Sequence, residues 1–165
     1  MSKDIYVIAE QRDGKLAKVG KELIGEATKL AADLGEKVVG VVVGNGIKEE
    51  AKKLFQYGAD EVVVVDDPIL EHYMTEPYVK AITTIIHECD PNVVLFGATS
   101  IGRDLAPRVA GRVHTGLTAD CTGLSVIEDE QSGKLLAMTR PAFGGNIMAT
   151  ILGKNFRPPL ATVRP

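Results

Sequence analysis

The sequence predicts an α/β fold, a mostly parallel sheet with helices on both faces, and three observations predict it. Four short apolar runs, at 5–9, 38–43, 62–65 and 93–96, are dominated by Val and Ile, as strands covered on both faces are. Each is followed by a stretch whose apolar residues recur every three or four positions, the period of one helix face. Gly, Asp or Pro stands at the joins, so the connections are short, and strand–helix alternation with short connections builds a parallel sheet.

Taken in order, the first run (5–9) ends in a polar turn, Glu10-Gln11-Arg12-Asp13-Gly14. Leu16, Gly20, Leu23, Ile24, Ala27, Leu30, Ala31 and Leu34 then line one helical face, and Gly35 is suited to follow its C-terminus. The run at 38–43 is broken by Gly44-Asn45-Gly46. A second helix is expected with Ile47, Ala51, Leu54 and Phe55 inside, Glu49-Glu50 near its positive end, and Gly58 closing it. The third buried strand (62–65) is closed by Asp66-Asp67-Pro68. After a connector at 69–74, Thr75 is placed to cap a third helix with Glu76 and Pro77 in its first turn and Val79, Ile82, Ile85 and Ile86 inside. The fourth strand (93–96) leads through Gly97-Ala98-Thr99-Ser100 into a helix carrying Leu105, Val109 and Val113. Pro107 falls inside that helix, where a kink or irregular turn is expected. After Gly116 the pattern changes. A long strand with a polar interruption (117–127), an exposed turn (128–133) and strands at 134–139, 147–152 and 160–163 read as antiparallel additions extending the sheet.

The totals narrow the function. A chain of 165 residues, 45% hydrophobic and 25% charged, can form one domain with a real core. A net charge of −3 without a long basic run argues against nucleic-acid binding, and the absence of Trp removes the best base-stacking side chain. No apolar run approaches the ~20 residues that span a bilayer, so no membrane insertion is expected. Met1-Ser2-Lys3-Asp4 leads straight into the first strand without the pattern of a signal peptide, and Cys89 and Cys121 are isolated; a reducing, cytoplasmic setting is expected.

Open α/β sheets bind ligands beyond the carboxyl ends of their strands. There, Gly97-Ala98-Thr99-Ser100 opens a helix whose free N–H groups and two hydroxyls make Thr99 and Ser100 a candidate anion site, unless one of them caps the helix. No complete dinucleotide or Walker A pattern is present. Arg103, Asp104, Arg108 and Arg112 give the fourth helix a charged face, either solvated or paired within the helix. His72, His87 and His114 are scattered, and no metal site, nucleophile or general base is assigned. Asp120 and Cys121 are consecutive in a strand, so alternation separates them; Cys121 reads as a packed thiol without a basic neighbour. In Met138-Thr139-Arg140-Pro141-Ala142-Phe143-Gly144-Gly145-Asn146, Pro141 fixes its own φ and holds Arg140 extended, beside a glycine turn. The stretch reads as a hairpin loop, or as a fixed cation presented to a flat, electron-rich partner.

Residues 97–110 (Gly-Ala-Thr-Ser-Ile-Gly-Arg-Asp-Leu-Ala-Pro-Arg-Val-Ala) and 139–146 (Thr-Arg-Pro-Ala-Phe-Gly-Gly-Asn) resemble the N-terminal domain of the electron transfer flavoprotein alpha subunit. Residues 115–121 and 157–165 are similar to the same family, and the likeness runs from the first strand to the last residue. It implies a Rossmann-like, adenine-nucleotide-hydrolase-like sheet. It further implies a heterodimer with a homologous beta subunit, carrying electrons from acyl-CoA or other dehydrogenases to an acceptor by means of FAD. The family's alpha subunit is roughly double this length, with its FAD-binding domain in the C-terminal half. The chain is therefore expected to be a single α/β domain over 1–165 with that FAD domain absent, binding no FAD alone, and to act as part of an electron carrier and not as a catalyst by itself. By the same resemblance, Arg140 would reach a flavin held by the beta subunit near N5, with Phe143 and Gly144 shaping the approach. Whether the complex is electron-bifurcating or of the simpler type with AMP in the beta subunit is left open. Two other readings stand beside this one: a stand-alone nucleotide-binding module or hydrolase using the turn at 97–100, and a purely structural docking domain in which Arg140 serves an internal salt bridge.

Overall fold

The computed structural model describes residues 2–142, 147–152 and 157–165. Five elements run in sequence from the N-terminus: β1 (Ile5–Ile8), a hairpin of β2 (Gln11–Arg12) and β3 (Lys15–Leu16), α1 (Lys18–Leu34) and β4 (Val38–Gly44). A short α2 (Lys48–Ala51) passes into a 3₁₀ helix (Lys52–Tyr57), followed by β5 (Glu61–Asp66), a 3₁₀ turn (Pro68–Leu70), α3 (Thr75–Cys89), β6 (Val93–Gly97) and α4 (Ser100–Val113). The remaining strands are β7 (Leu117–Cys121), β8 (Gly123–Asp129), β9 (Gly133–Pro141), β10 (Met148–Leu152) and β11 (Leu160–Val163).

Six strands form a parallel sheet in the order β5-β4-β1-β6-β11-β7, and β10-β9-β8 form a separate antiparallel sheet. The α/β expectation is met, with one correction. The C-terminal strands do not all extend the sheet in antiparallel fashion: β7 and β11 join it in parallel, and β11 enters between β6 and β7. The predicted strand over 117–127 is two strands in two sheets, parted at Thr122.

Strand alternation divides the core. Ile5, Val7, Val38, Val42, Val93 and Leu95 face one side, where Leu23, Ile24, Ala27 and Leu30 of α1 cover them together with Leu136 and Met138 of β9. Tyr6, Val39, Val41, Val43, Val94 and Phe96 face the other side, against Val79, Ile82 and Ile86 of α3 and Leu105 and Val109 of α4. The small antiparallel sheet is thus packed onto the α1 side of the large one.

Several local expectations are corrected. Leu16 belongs to β3 and not to α1. Asp13 (φ 52°) and Gly14 (φ 80°) make the two-residue turn between β2 and β3, a turn that needs positive φ twice and that Asp-Gly supplies. Phe55 is 51% exposed because 52–57 is a 3₁₀ helix, whose three-residue repeat leaves Leu54 inside and turns Phe55 out. β5 is only half-buried, being an edge strand of the sheet. Met74, not Thr75, is the N-cap of α3, since the Thr75 hydroxyl donates to Asp104 at 2.6 Å. α4 is one helix through Pro107, which lies on its exposed face where water can serve the carbonyl that loses its partner.

Candidate functional site

Strand order reverses between β1, from which the chain winds to β4 and β5, and β6 on its other side. The carboxyl ends of β1 and β6 therefore frame the crevice where such a sheet takes ligands. Here the chain fills that crevice itself. The Gln11 side-chain nitrogen donates to the Val43 carbonyl at 3.2 Å and to the Tyr78 hydroxyl at 3.0 Å, and Gln11 Oε1 accepts from Gly14 N–H at 3.0 Å. Tyr78 in turn donates to the Leu70 carbonyl at 2.6 Å, and burial raises its pKa. A cavity of about 30 Å³ is left among Ile8, Gln11, Tyr78, Phe96 and Leu105, room enough for ordered water.

The two hydroxyls at the start of α4 are engaged internally. Thr99 is the N-cap, accepting from Gly102 N–H at 3.1 Å, and its own hydroxyl donates to the Glu10 carboxylate. Ser100 accepts from Arg12 at 3.5 Å, the long limit of such a bond. Glu10 thus supplies a negative charge where the helix dipole is positive, and a bound anion would have to displace it. Sequence reasoning missed Glu10, Gln11 and Tyr78. Only the polar turn at 10–14 marked the region, and no local pattern reveals that Tyr78, on α3, reaches it.

The second cluster lies where the two sheets meet. Between β11 and β7 the register slips by one residue, so that Thr118 pairs with Ala161 but Cys121 with Val163. Asp120, inside this bulge, takes φ 54° and donates its N–H to Thr162 Oγ1 at 2.9 Å. A bulge of this kind re-aims the side chain it carries. Cys121 is fully buried, and its carbonyl accepts from Arg164 N–H at 2.9 Å. Thr122 N–H then bonds to the Thr139 carbonyl at 2.9 Å, fixing β9 to the end of β7. The next residue in β9 is Arg140, extended as Pro141 requires, paired across the ladder with Ala149 and half-buried. Ala142 N–H bonds to the Ile147 carbonyl at 2.7 Å, so the Thr-Arg-Pro-Ala stretch does lead into a hairpin. Phe143 and Gly144 lie outside the described residues.

The charges of α4 pair between elements and not within the helix. Arg103 Nη2 is 3.2 Å from Asp120 Oδ1; Arg108 and Arg112 approach Glu76 of α3 at 3.7 and 3.0 Å. Asp104 accepts from both Tyr73 and Thr75 at 2.6 Å, and these two bonds lower its pKa. The Arg140 side chain, by contrast, makes no ion pair or hydrogen bond among the described residues. No group of His, Cys, Asp and Glu among them could hold a metal. No helix among them is long and apolar enough to cross a membrane.

Burial pushes the Cys121 thiol up from 9.0 to about 11, against the lowering pull of Arg140. Cys121 is packed as expected, and the cation that acts on it, Arg140, comes from another strand and not from a sequence neighbour. Because folding favours the neutral thiol, its contribution to stability is full below about pH 9 and is lost as pH rises through about 11, on the order of 2–3 kcal/mol. Denaturant unfolding of wild type and Cys121→Ala at intervals from about pH 8 to 11 checks this. The gap between the two should close with rising pH, and a constant gap would rule it out.

Fold and site together define a doubly wound α/β domain with its ligand crevice filled from within and a cation held at the junction of two sheets. Comparison with known proteins identifies the family. Residues 5–165 match the family described as the electron transfer flavoprotein domain, and the chain belongs to that family. It is 54% identical over 163 residues to an electron transfer flavoprotein subunit alpha of Thermoanaerobacterium thermosaccharolyticum, covering 99% of this chain and 48% of that protein. It is 53% identical to the corresponding subunit of Megasphaera elsdenii, covering 99% and 47%. Over 182 residues it is 47% identical to a protein of Anaerotignum propionicum named acryloyl-CoA reductase electron transfer subunit beta, covering 99% and 50%. The chain spans about half the length of these relatives.

Proposed function

We propose that this chain is a single α/β docking domain of a two-subunit electron transfer flavoprotein, seated on a beta subunit, and that Arg140 faces a flavin held there. FAD supplies reversible electron uptake when bound; this chain supplies the fixed charge beside it. The observation that carries the reading is the state of Arg140. It is half-buried, set in a strand pinned to the main sheet at Thr139, and without a carboxylate partner among the described residues. A guanidinium stays charged at any ordinary pH and presents its donors in one plane, which suits the edge of a flat, electron-rich ring. The crevice between β1 and β6 supports the same assignment, because Gln11 and Tyr78 are hydrogen-bonded across it and Glu10 stands at the α4 N-terminus. Delivery of electrons from acyl-CoA or other dehydrogenases, a cytoplasmic setting, and the contribution of Phe143 and Gly144 to the flavin approach belong to the proposal.

The test is a titration of FAD-loaded beta subunit with this chain, followed by absorbance and by a size-based binding assay. Complex formation should shift the flavin spectrum. Arg140→Ala should still bind but lower the flavin midpoint potential, because the removed cation favours the electron-rich form. A tenfold change in the ratio of the two forms corresponds to about 30 mV for a two-electron couple and about 59 mV for one electron. Binding with identical potentials for wild type and Arg140→Ala would reduce the chain to a scaffold.

A further inference from the structure

Among the described residues the Arg140 side chain has no counter-ion, although the Asp120 carboxylate acts on the same buried thiol as Arg140 does. Asp120 stands two residues before Thr122, whose N–H bonds to the residue preceding Arg140, so both charges flank one crossing of the chain. They act on the same buried thiol, Asp120 raising the Cys121 pKa and Arg140 lowering it. The bulge in β7 and the positive φ of Asp120 turn its carboxylate to the first turn of α4, where Arg103 Nη2 stands 3.2 Å from Oδ1. That oxygen is shut off from water and yet receives no aligned hydrogen bond. Such an atom is costly to leave unmatched, and a donor that reached it would gain accordingly.

We infer that Arg103 is a positioning residue: by holding the Asp120 carboxylate at α4, it keeps Arg140 unneutralised and its charge directed at the partner's flavin. The inference rests on the flavin reading of Arg140. If Arg103 is lost, Asp120 has one uncompensated charge and an open acceptor direction, and Arg140 is the cation on the other side of the crossing. Pairing between them would spend the charge that the flavin otherwise meets. Arg103 is itself an exposed side chain, 59% accessible, so its removal leaves the core untouched.

The experiment measures the midpoint potential of FAD in the complex of this chain with the beta subunit, for a double-mutant cycle. Arg103→Ala should remove at least half of the shift that Arg140→Ala removes. In the Arg140→Ala background, Arg103→Ala should add little, because it acts through Arg140. Adding Asp120→Asn to Arg103→Ala should restore most of the shift. Equal effects of Arg103→Ala in the two backgrounds would overturn the inference, since two independent charges would simply add; so would a silent Arg103→Ala where Arg140→Ala is not silent. A silent Arg140→Ala would instead overturn the flavin reading itself, whatever Arg103 does.

Discussion

Gly102→Ala is expected to be the most damaging Gly→Ala change among the described residues. Gly102 is buried in the first turn of α4, and a Cβ there would stand 1.8 Å from the Gly97 carbonyl oxygen. Carbon and oxygen in contact need about 3.3 Å. The obstruction is backbone at the end of β6, so no side chain can rotate away. Either α4 moves out by more than an ångström or the β6 end does, and both are packed: Leu105, Ala106 and Val109 on one, Phe96 on the other, all fully or nearly buried. Overpacking at a rigid site costs ~1–3 kcal/mol and sometimes more; here at least ~3 is expected. In a domain of this size that lowers Tm by roughly 6–12 °C. Gly111→Ala is the control. It lies in the same helix with nothing within 4 Å of its Cβ, and should be neutral or stabilise by up to ~1 kcal/mol. Thermal melts of both variants decide it; equal Tm values would mean that α4 is not held against β6 as described.

The close approach at Gly102 marks the limit of what the sequence displays. Buried strands and amphipathic helices announce themselves by period, and β1, β4, β6, α1, α3 and α4 were legible for that reason. Thr99 as a cap was legible from its residue type and place. What period cannot show is which strand a strand sits beside. The parallel entry of β11 between β6 and β7 is a long-range choice, made by Leu160 and Ala161 being buried from both sides, and no local residue encodes it. Phe55 and β5 were misjudged because apolar composition was read as burial, whereas a 3₁₀ repeat and an edge position decide exposure. The site was half legible. Arg140 stood out through its proline, but Arg103 looked like one more solvated charge. Its role depends on Asp120, and that depends on a bulge created by the register of β11, a strand 40 residues further on.

Met138→Ala is the second large effect, and it tests how the small sheet is carried. Met138 is 1% exposed, paired with Leu124 on β8 and Ile151 on β10, and part of the core under α1. Truncating a buried side chain of this size costs 2–5 kcal/mol, about 2 if the site collapses and more if the cavity persists. Met148→Ala on the neighbouring strand removes a side chain 52% exposed and should stay within about 0.5 kcal/mol in the isolated chain. Denaturant midpoints compare the two. If the small sheet were seated only by the Thr122–Thr139 hydrogen bond, Met138→Ala would cost no more than ~1 kcal/mol, the worth of a single such bond. A large loss instead means that β9 is held by packing, and then the consequence reaches Arg140. Residues two apart on a strand share a face, so Met138 and Arg140 point to the same side of the small sheet. A cavity at Met138 lets that face settle, and a settled Arg140 no longer stands at one distance from whatever the partner presents. Met138→Ala should therefore broaden the flavin response of the complex even where binding survives, whereas Met148→Ala should not.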